Sequence, residues 1–326
     1  MKRPRILVVG SFVMDLIFRA DRFVSQGETI LGTDFHSAPG GKGANQAVQA
    51  ARLGAEVSMV GKVGDDDYGR AMLASLNEAG VGTEGVTVTK DCSSGLSNIQ
   101  IRDDGTMAQN RILVIPGANM ALVPKNVAFL EREIAQYDMV VLQLEIPMEI
   151  NELVARYARA NGVPVMLNPA PAAELSSALM KNLTYLAPNE HEAEALTGVQ
   201  PKDEASIRHA AELLRQKGAQ RVIITLGESG AAFWDGEHFL MSPAAPCDQP
   251  VDPTAAGDSF IGAFSTAVCA GMRAEDAMTF ANHTASLTVS GMGAQPSLPG
   301  LERVNASLAR AGRQTLHYDH GRERRS

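Results

Sequence analysis

Several protein classes are excluded by what this sequence lacks. It has three cysteines in 326 residues, Cys92, Cys247 and Cys269, widely spaced and with no Cys-x-x-Cys pair. An odd, scattered set offers no disulfide framework and fits a reducing, cytoplasmic setting, each thiol reading first as a small buried hydrophobe. No run of about 18 apolar residues occurs, so no transmembrane helix is predicted. There is no excess of positive charge: 29 Lys and Arg face 37 Asp and Glu, for a net charge of −8. That balance argues against nucleic acid or an anionic membrane as the main partner, although a locally positive site for a small anion stays possible. There is no repeat or low-complexity linker, and glycine (30) and proline (16) stand near ordinary usage. With 45% hydrophobic and 20% charged residues, the chain has ample material for a large core.

What is present is an alternation of two patterns. Short Val/Ile/Leu-rich runs at Ile6–Val9, Glu56–Val60, Met139–Leu142, Pro164–Leu167, Thr184–Leu186, Val222–Thr225 and Ala231–Trp234 read as strands buried on both faces. The first follows Met1-Lys-Arg-Pro-Arg and superficially resembles a signal peptide, but Gly10, Ser11 and Asp15 interrupt it and no clear cleavage site follows. Between the strands lie amphipathic stretches at 44–53, 68–79, 124–135, 148–160, 190–196 and 206–217, several followed by a capping glycine (Gly54, Gly80, Gly162, Gly218). The order predicts a single α/β domain over 1–326 with a doubly wound, mostly parallel sheet flanked by helices. Two stretches break the pattern. Phe18 to Phe35 and Ser94 to Val114 look like alternating strands with turns at Ser25-Gln-Gly27 and Asp103-Asp104-Gly105. They are either two unrelated hairpins or one small antiparallel sheet, layered over the main one. The polar end bearing Arg313, Arg322, Arg324 and Arg325 reads as a frayed tail.

Six polar or glycine-rich clusters fall at predicted strand ends, where open α/β sheets place ligands. In Val251-Asp-Pro-Thr-Ala-Ala-Gly-Asp258 the amides of Ala255, Ala256 and Gly257 open an apolar helix, a favourable place for an anion. Asp258 beside them is a natural base for a hydroxyl nucleophile, or simply a helix cap. Pro39-Gly-Gly-Lys-Gly-Ala-Asn45-Gln46 also precedes a helix. It is neither a P-loop, because Gly43 follows Lys42, nor a dinucleotide fingerprint, because Gln46 stands at the third glycine. Lys42 and Asn45 still supply donors for hydroxyls or phosphate. Asn189-Glu-His-Glu192 could hold Mg2+ through water or serve as an N-cap with acids in the first turn. Thr225-Leu-Gly-Glu-Ser-Gly230 could shelter a nucleotide or turn a hairpin. Asp15 and Glu145 each stand just past an apolar strand.

Order and spelling together carry a resemblance. Gly-Gly-Lys-Gly-Ala-Asn-Gln (40–46), Gly64-x-Asp66-x-x-Gly69, Gln143-Leu-Glu145, Asn168-Pro-Ala-Pro171, Asn189-x-x-Glu192, Thr225-Leu-Gly227, Asp252-x-Thr-Ala-Ala-Gly-Asp258 and Gly293-Ala-Gln-Pro-Ser297 resemble the PfkB carbohydrate kinases, most closely their ribokinase branch. The resemblance runs from about residue 5 to residue 300. It implies a ribokinase-like fold and ATP-dependent phosphorylation of ribose at its 5-hydroxyl. It also implies Asp258 as catalytic base, with an anion hole at 255–257. The sugar's neighbours would be Val13, Asp15, Gly41, Lys42, Gly43, Asn45 and Glu145. Asn189, Thr225, Gly227, Gly230, Gly257 and Asn282 fall on the nucleotide side, and Glu192 at the Mg2+ position. A monovalent cation, K+, is expected at Asp252, Thr254, Thr288, Gly291, Gly293 and Ser297. The two odd β stretches, about 15–38 and 95–114, become a lid that also makes a homodimer contact. Four positions depart from the family's spelling. Val13 stands where an amide often reads a sugar hydroxyl, which makes 2-deoxyribose the near alternative. Pro253 replaces Thr, Ala255 replaces Gly, and Asn282 replaces a His placed against adenine. The rival readings are another sugar or nucleoside kinase of the family, a nicotinamide dehydrogenase without its glycine fingerprint, and a sugar sensor on the kinase fold.

Overall fold

Ile6, Leu7, Val8 and Val9 are fully buried and divide between two cores. Ile6 and Val8 pack into one, Leu7 and Val9 into the other, as a strand covered on both faces requires. The computed structural model describes residues 1–102, 109–247 and 249–319. The expected turn at Asp103-Asp104-Gly105 and the arginines Arg322, Arg324 and Arg325 lie outside the described residues.

In chain order the strands are β1 (Arg5–Val9), β2 (Val13–Ala20), β3 (Asp34–Gly40), β4 (Glu56–Gly64), β5 (Gly82–Thr89), β6 (Gly95–Arg102), β7 (Gln109–Ile115), β8 (Met139–Gln143), β9 (Val165–Asn168), β10 (Tyr185–Leu186), β11 (Arg221–Thr225), β12 (Ala231–Trp234) and β13 (Phe239–Ser242). Among the described residues they form two sheets. The larger runs β13-β12-β11-β10-β9-β8-β1-β4-β5. All pairs from β5 to β11 are parallel, and β12 and β13 extend it antiparallel. Helices Lys42–Arg52, Ala256–Cys269, Ala274–Val289 and Leu301–Arg310 cover one face, and Met148–Ala160 and Glu204–Gln216 the other. This is the doubly wound α/β fold expected. No helix among the described residues is long and apolar enough to cross a membrane.

The expected capping glycines Gly54, Gly80, Gly162 and Gly218 all have positive φ. The helix expected over 124–135 is broken into Pro124–Val127, Leu130–Glu133 and a 3-10 turn at Ile134–Gln136. There, i to i−3 bonds such as Arg132 N to Phe129 O (3.1 Å) take over. Strands β5 and β13 and the helices Ala274–Val289 and Leu301–Arg310 had no counterpart in the pattern reading.

The two odd stretches form one four-stranded sheet, β3-β2-β6-β7. It is not wholly antiparallel: β2 and β6 pair in parallel over Val13–Ala20 and Gly95–Arg102. The cause is topological. Both strands continue from the same end of parallel strands, β2 from β1 and β6 from β5, so both run the same way. Their roots are pinned. The Asn119 side chain brackets Phe12, accepting its N–H at 2.9 Å and donating to its carbonyl at 2.7 Å. Asp66 accepts from Gly69 N (2.7 Å), Ser94 N (2.8 Å) and the Ser94 hydroxyl (2.7 Å), fastening the entry to β6.

Between β1 and β8 the strand order reverses direction. That switch point leaves a crevice beyond the carboxyl ends of the strands.

Candidate active site

Two helix starts meet at this crevice. The first, at Lys42, follows Gly41 with φ 93°. A Cβ there would stand 2.6 Å from Val13 N, so only glycine brings this turn against β2. The protein closes this helix start itself. Glu145 Oε2 accepts from Lys42 N (3.1 Å) and from the Ser11 hydroxyl (2.5 Å), and Ser11 Oγ accepts from Gly43 N (3.2 Å). The second start, at Ala256, is left open. Ala256 N turns back to Pro253 O (3.1 Å), so it does not join an anion hole as expected. Among the described residues, the amides of Ala255, Gly257 and Asp258 have no acceptor, and a Cβ at Gly257 would meet nothing within 4 Å. Ala255 has φ 62°, alone among the described non-glycine residues in being positive.

Asp258 is 7% exposed. Its Oδ2 accepts from Asn45 Nδ2 and its Oδ1 from Gln46 Nε2, both at 2.9 Å. Close approach of the two helices makes this possible: at Gly262 a Cβ would lie 2.8 Å from Gln46 O. Asp258 stands on the wall between two cavities. One, of about 600 Å3, is lined by Val13, Asp15, Gly41, Lys42, Asn45 and Glu145 and roofed by Ile17, Ile99 and Ile112 of the small sheet. The other, of about 230 Å3, is lined by Asn168, Asn189, Glu192, Thr225, Ala256 and Gly257. They share Lys42, Pro253, Ala255 and Asp258.

Three carboxylates surround one ammonium here. Burial opposes the charge on Lys42, but Asp258, Glu145 and Glu192 outweigh it and raise its pKa, so it stays protonated. Burial pushes Asp15 up to about 6, against the hydrogen bond from Ser97 Oγ (2.5 Å) and with help from Glu145, Asp258 and Asp252. Burial also raises Glu192, against the Asn189 amide and Lys42.

Residues 3–301 match the pfkB family carbohydrate kinases. The chain is 41% identical over 304 residues to the ribokinase of Bacillus subtilis, covering 93% of this chain and 99% of that one. It is 36% identical over 305 residues to the deoxyribokinase of Salmonella typhi, covering 93% and 98%. Among solved structures, Arabidopsis thaliana ribokinase complexed with ribose and ATP superposes with a TM-score of 0.87 at 31% identity, covering 94% of this chain and 98% of that one. The chain belongs to the PfkB family of carbohydrate kinases. Its fold is ribokinase-like.

Not every anticipated residue of this PfkB kinase sits on a cavity wall. Gly43 lies beneath the larger cavity, its amide held by Ser11 Oγ. Gly227 and Gly230 shape the turn after β11 and line neither cavity. Asn282 is buried and donates to Ser242 O, Ser242 Oγ and Pro243 O, each at 3.0 Å, so its amide holds a loop. Asn189 and Glu192 do line the smaller cavity, and they also form the N-cap pair: Glu192 N to Asn189 Oδ1 is 2.8 Å, Asn189 N to Glu192 Oε2 is 2.9 Å. Asp252, Thr254 and Gly293 border the larger cavity. The Asp252 carboxylate accepts from Thr254 N (2.9 Å), Thr254 Oγ1 (2.6 Å) and Gly293 N (2.9 Å), tying the two expected cation segments together. Ser297 Oγ donates to Ala294 O (2.8 Å), and Thr288 Oγ1 bonds Ser259 Oγ (2.7 Å). No group of three or more His, Cys, Asp or Glu is placed to hold a metal among the described residues. Sequence reasoning did not find Ser11, Gln46, Ser97 and Gln143. The only signals for Gln46 and Gln143 were their places in the motifs at 40–46 and 143–145.

Proposed function

We propose that this kinase transfers the γ-phosphoryl group of ATP to the 5-hydroxyl of D-ribose, giving ribose 5-phosphate and ADP. One observation carries the reading: Asp258 lies on the wall between a cavity that offers acceptors and a cleft that offers donors. Asp15, Glu145 and Asp258 present carboxylate oxygens to sugar hydroxyls. The open amides of Ala255, Gly257 and Asp258 face the phosphate side, where a helix start favours negative charge. Asp258 accepts the 5-hydroxyl proton as that oxygen attacks the γ-phosphorus. The open amides and the Lys42 ammonium hold the charge of the transferring group.

Mg2+, when bound with ATP, neutralises phosphate charge. Glu192 suits a contact through water, since each of its oxygens already accepts one Asn189 N–H and keeps a lone pair. For K+ the donors are oxygens only. Asp252 Oδ2 accepts a single N–H and Ser297 Oγ keeps its lone pairs, so both fit a hard cation together with carbonyls of Thr254, Thr288, Gly291 and Gly293.

The small sheet serves as the lid, with pieces near 15–38 and 95–114, and its outer face as the contact of a homodimer. Along β7, Ile112 and Val114 face the cavity, so the exposed Leu113 and Ile115 face outward, as does Phe18, paired with Phe35 at 4.9 Å. The cytoplasm is the proposed compartment, supported by three free cysteines.

Phosphorylation of 2-deoxyribose is the second reading. Val13 is 5% exposed, lines the sugar cavity and can bond no hydroxyl, so one position on the sugar is left unread. A coupled ADP assay across ribose, 2-deoxyribose, fructose and adenosine, with and without K+, tests both. ADP formation with ribose is expected, with 2-deoxyribose close behind. Inertness of both pentoses removes the reading.

A further inference from the structure

We propose that Gln46 and Gln143 form a positioning relay that holds the catalytic carboxylate to the central strand of the sheet. The proposal rests on Asp258 acting as base in the reaction above. Both glutamines are buried, at 1% and 0% exposure, and neither lines either cavity, so neither touches sugar or nucleotide. Gln46 Nε2 donates to Asp258 Oδ1 at 2.9 Å and reaches Asn168 Oδ1 at 3.3 Å. Gln143 Nε2 donates to Gln46 Oε1 at 2.7 Å. Gln143 ends β8 at the switch point, and its backbone carbonyl accepts Asn151 Nδ2 at 2.8 Å, which fixes the far end of the relay.

The polarity of the relay is set from the carboxylate. An ionised carboxylate only accepts, so Gln46 must present its amide N–H to Asp258. Its carbonyl then points at Gln143, which must present its own N–H. The Gln143 side-chain oxygen, Oε1, is thereby turned toward Gly10, where it is buried without a partner and where a Cβ on Gly10 would stand 1.9 Å from it. An unmet buried acceptor is destabilising. The orphaned oxygen is the counterpart of orienting Gln46 toward the base.

With Asn45 on Oδ2 and Gln46 on Oδ1, the plane of the carboxylate is fixed. Each oxygen keeps one further lone pair, and with the plane fixed both point in set directions, so the one offered to the sugar hydroxyl does not wander. Asn45 also lines the sugar cavity, whereas the glutamines act through Asp258 alone.

A double-variant cycle on the full-length enzyme tests this, with kcat, both KM values and the melting temperature as readouts. Gln46→Met keeps length and removes the donor; kcat should fall about 10- to 100-fold, with KM for ribose and ATP within about twofold. Gln143→Met should lower kcat about 3- to 10-fold, the equivalent of one hydrogen bond. Because Gln143 acts through Gln46, the double variant should be no slower than Gln46→Met alone. Gln46→Asn, which keeps the amide but ends one methylene short, should be as slow as Gln46→Met and provides a second folded variant. Undiminished kcat in either Gln46 variant, losses that multiply in the double variant, or a rise in KM without a fall in kcat overturns the relay. A wild-type enzyme that forms no ADP with any sugar overturns the functional reading instead, and that measurement needs no variant.

Discussion

The two cavities that share Asp258 differ in what they offer a ligand. The larger is a field of acceptors: Asp15, Glu145 and Asp258 line it together with the Lys42 ammonium. The smaller is a field of donors, made by amides at the start of Ala256–Cys269 that no protein oxygen fills. The first helix start is already filled by Glu145, so its dipole serves the fold. The second is left open. On the proposed reading, a polyhydroxylic molecule and a polyanion have separate rooms, and an acidic protein makes its anion site from backbone.

The comparison can be broken most severely at the shared wall. Asp258→Asn should reduce kcat about 10²- to 10⁴-fold while the KM for sugar changes little, because the base is lost and the room is kept. Steady-state kinetics on the purified variant give both numbers, and an unchanged kcat would remove Asp258 from the chemistry.

A second prediction separates the rooms by pH. Asp15 has its pKa raised to about 6 by burial, so it takes up its proton as pH falls through 6. The KM for ribose should then rise about tenfold per pH unit below that point, while the KM for ATP follows only its own ionisations. Stability runs the other way. The folded state holds this proton more tightly than the unfolded chain, so Asp15 costs stability as pH rises from 4 to 6. In Asp15→Asn the acid limb of the ribose profile should vanish and the melting temperature at neutral pH should rise.

On the donor side, Gly257→Ala should raise the KM for ATP about tenfold, one charge-assisted contact, with ribose KM and melting temperature nearly unchanged. The added methyl meets no protein atom and projects into space kept for the anion. The smallest effect belongs to Ala255. An alanine at φ 62° carries roughly 1 kcal/mol of strain, so Ala255→Gly should raise the melting temperature by about 2 °C, read by calorimetry.

Much of this was legible in sequence because central strands announce themselves. Ile6–Val9 and Met139–Leu142 are continuously apolar since both their faces are covered. The half-exposed edge strand Gly82–Thr89 carries no such run, and it was missed for that reason. The small sheet was visible as two stretches of alternation, but its parallel seam depends on which end of the main sheet each strand leaves, and no local pattern encodes that. The site divides in the same way. Lys42, Asn45, Glu145 and Asp258 are carried by spelled motifs, and the structure brings all four to one wall. That Gln46 holds Asp258 is a matter of helix packing at Gly262, where the decisive fact is the absence of a side chain. Ala255 shows the converse: the sequence marked it as a departure from glycine, and its backbone angle gives the physical reason that glycine is preferred there.

The contacts of Asp258 with Gln46 and Asn45 span 212 and 213 residues. A ribosome adding roughly 5–20 residues per second makes the amides about 10–40 s before it makes the carboxylate they hold. Through that interval the growing chain has Asp15, Lys42 and Glu145 but neither the proposed base nor the open helix start. If Asp258 is the base proposed above, competence to transfer a phosphoryl group arrives in one step, late in synthesis, and an unfinished chain does not consume ATP at this site.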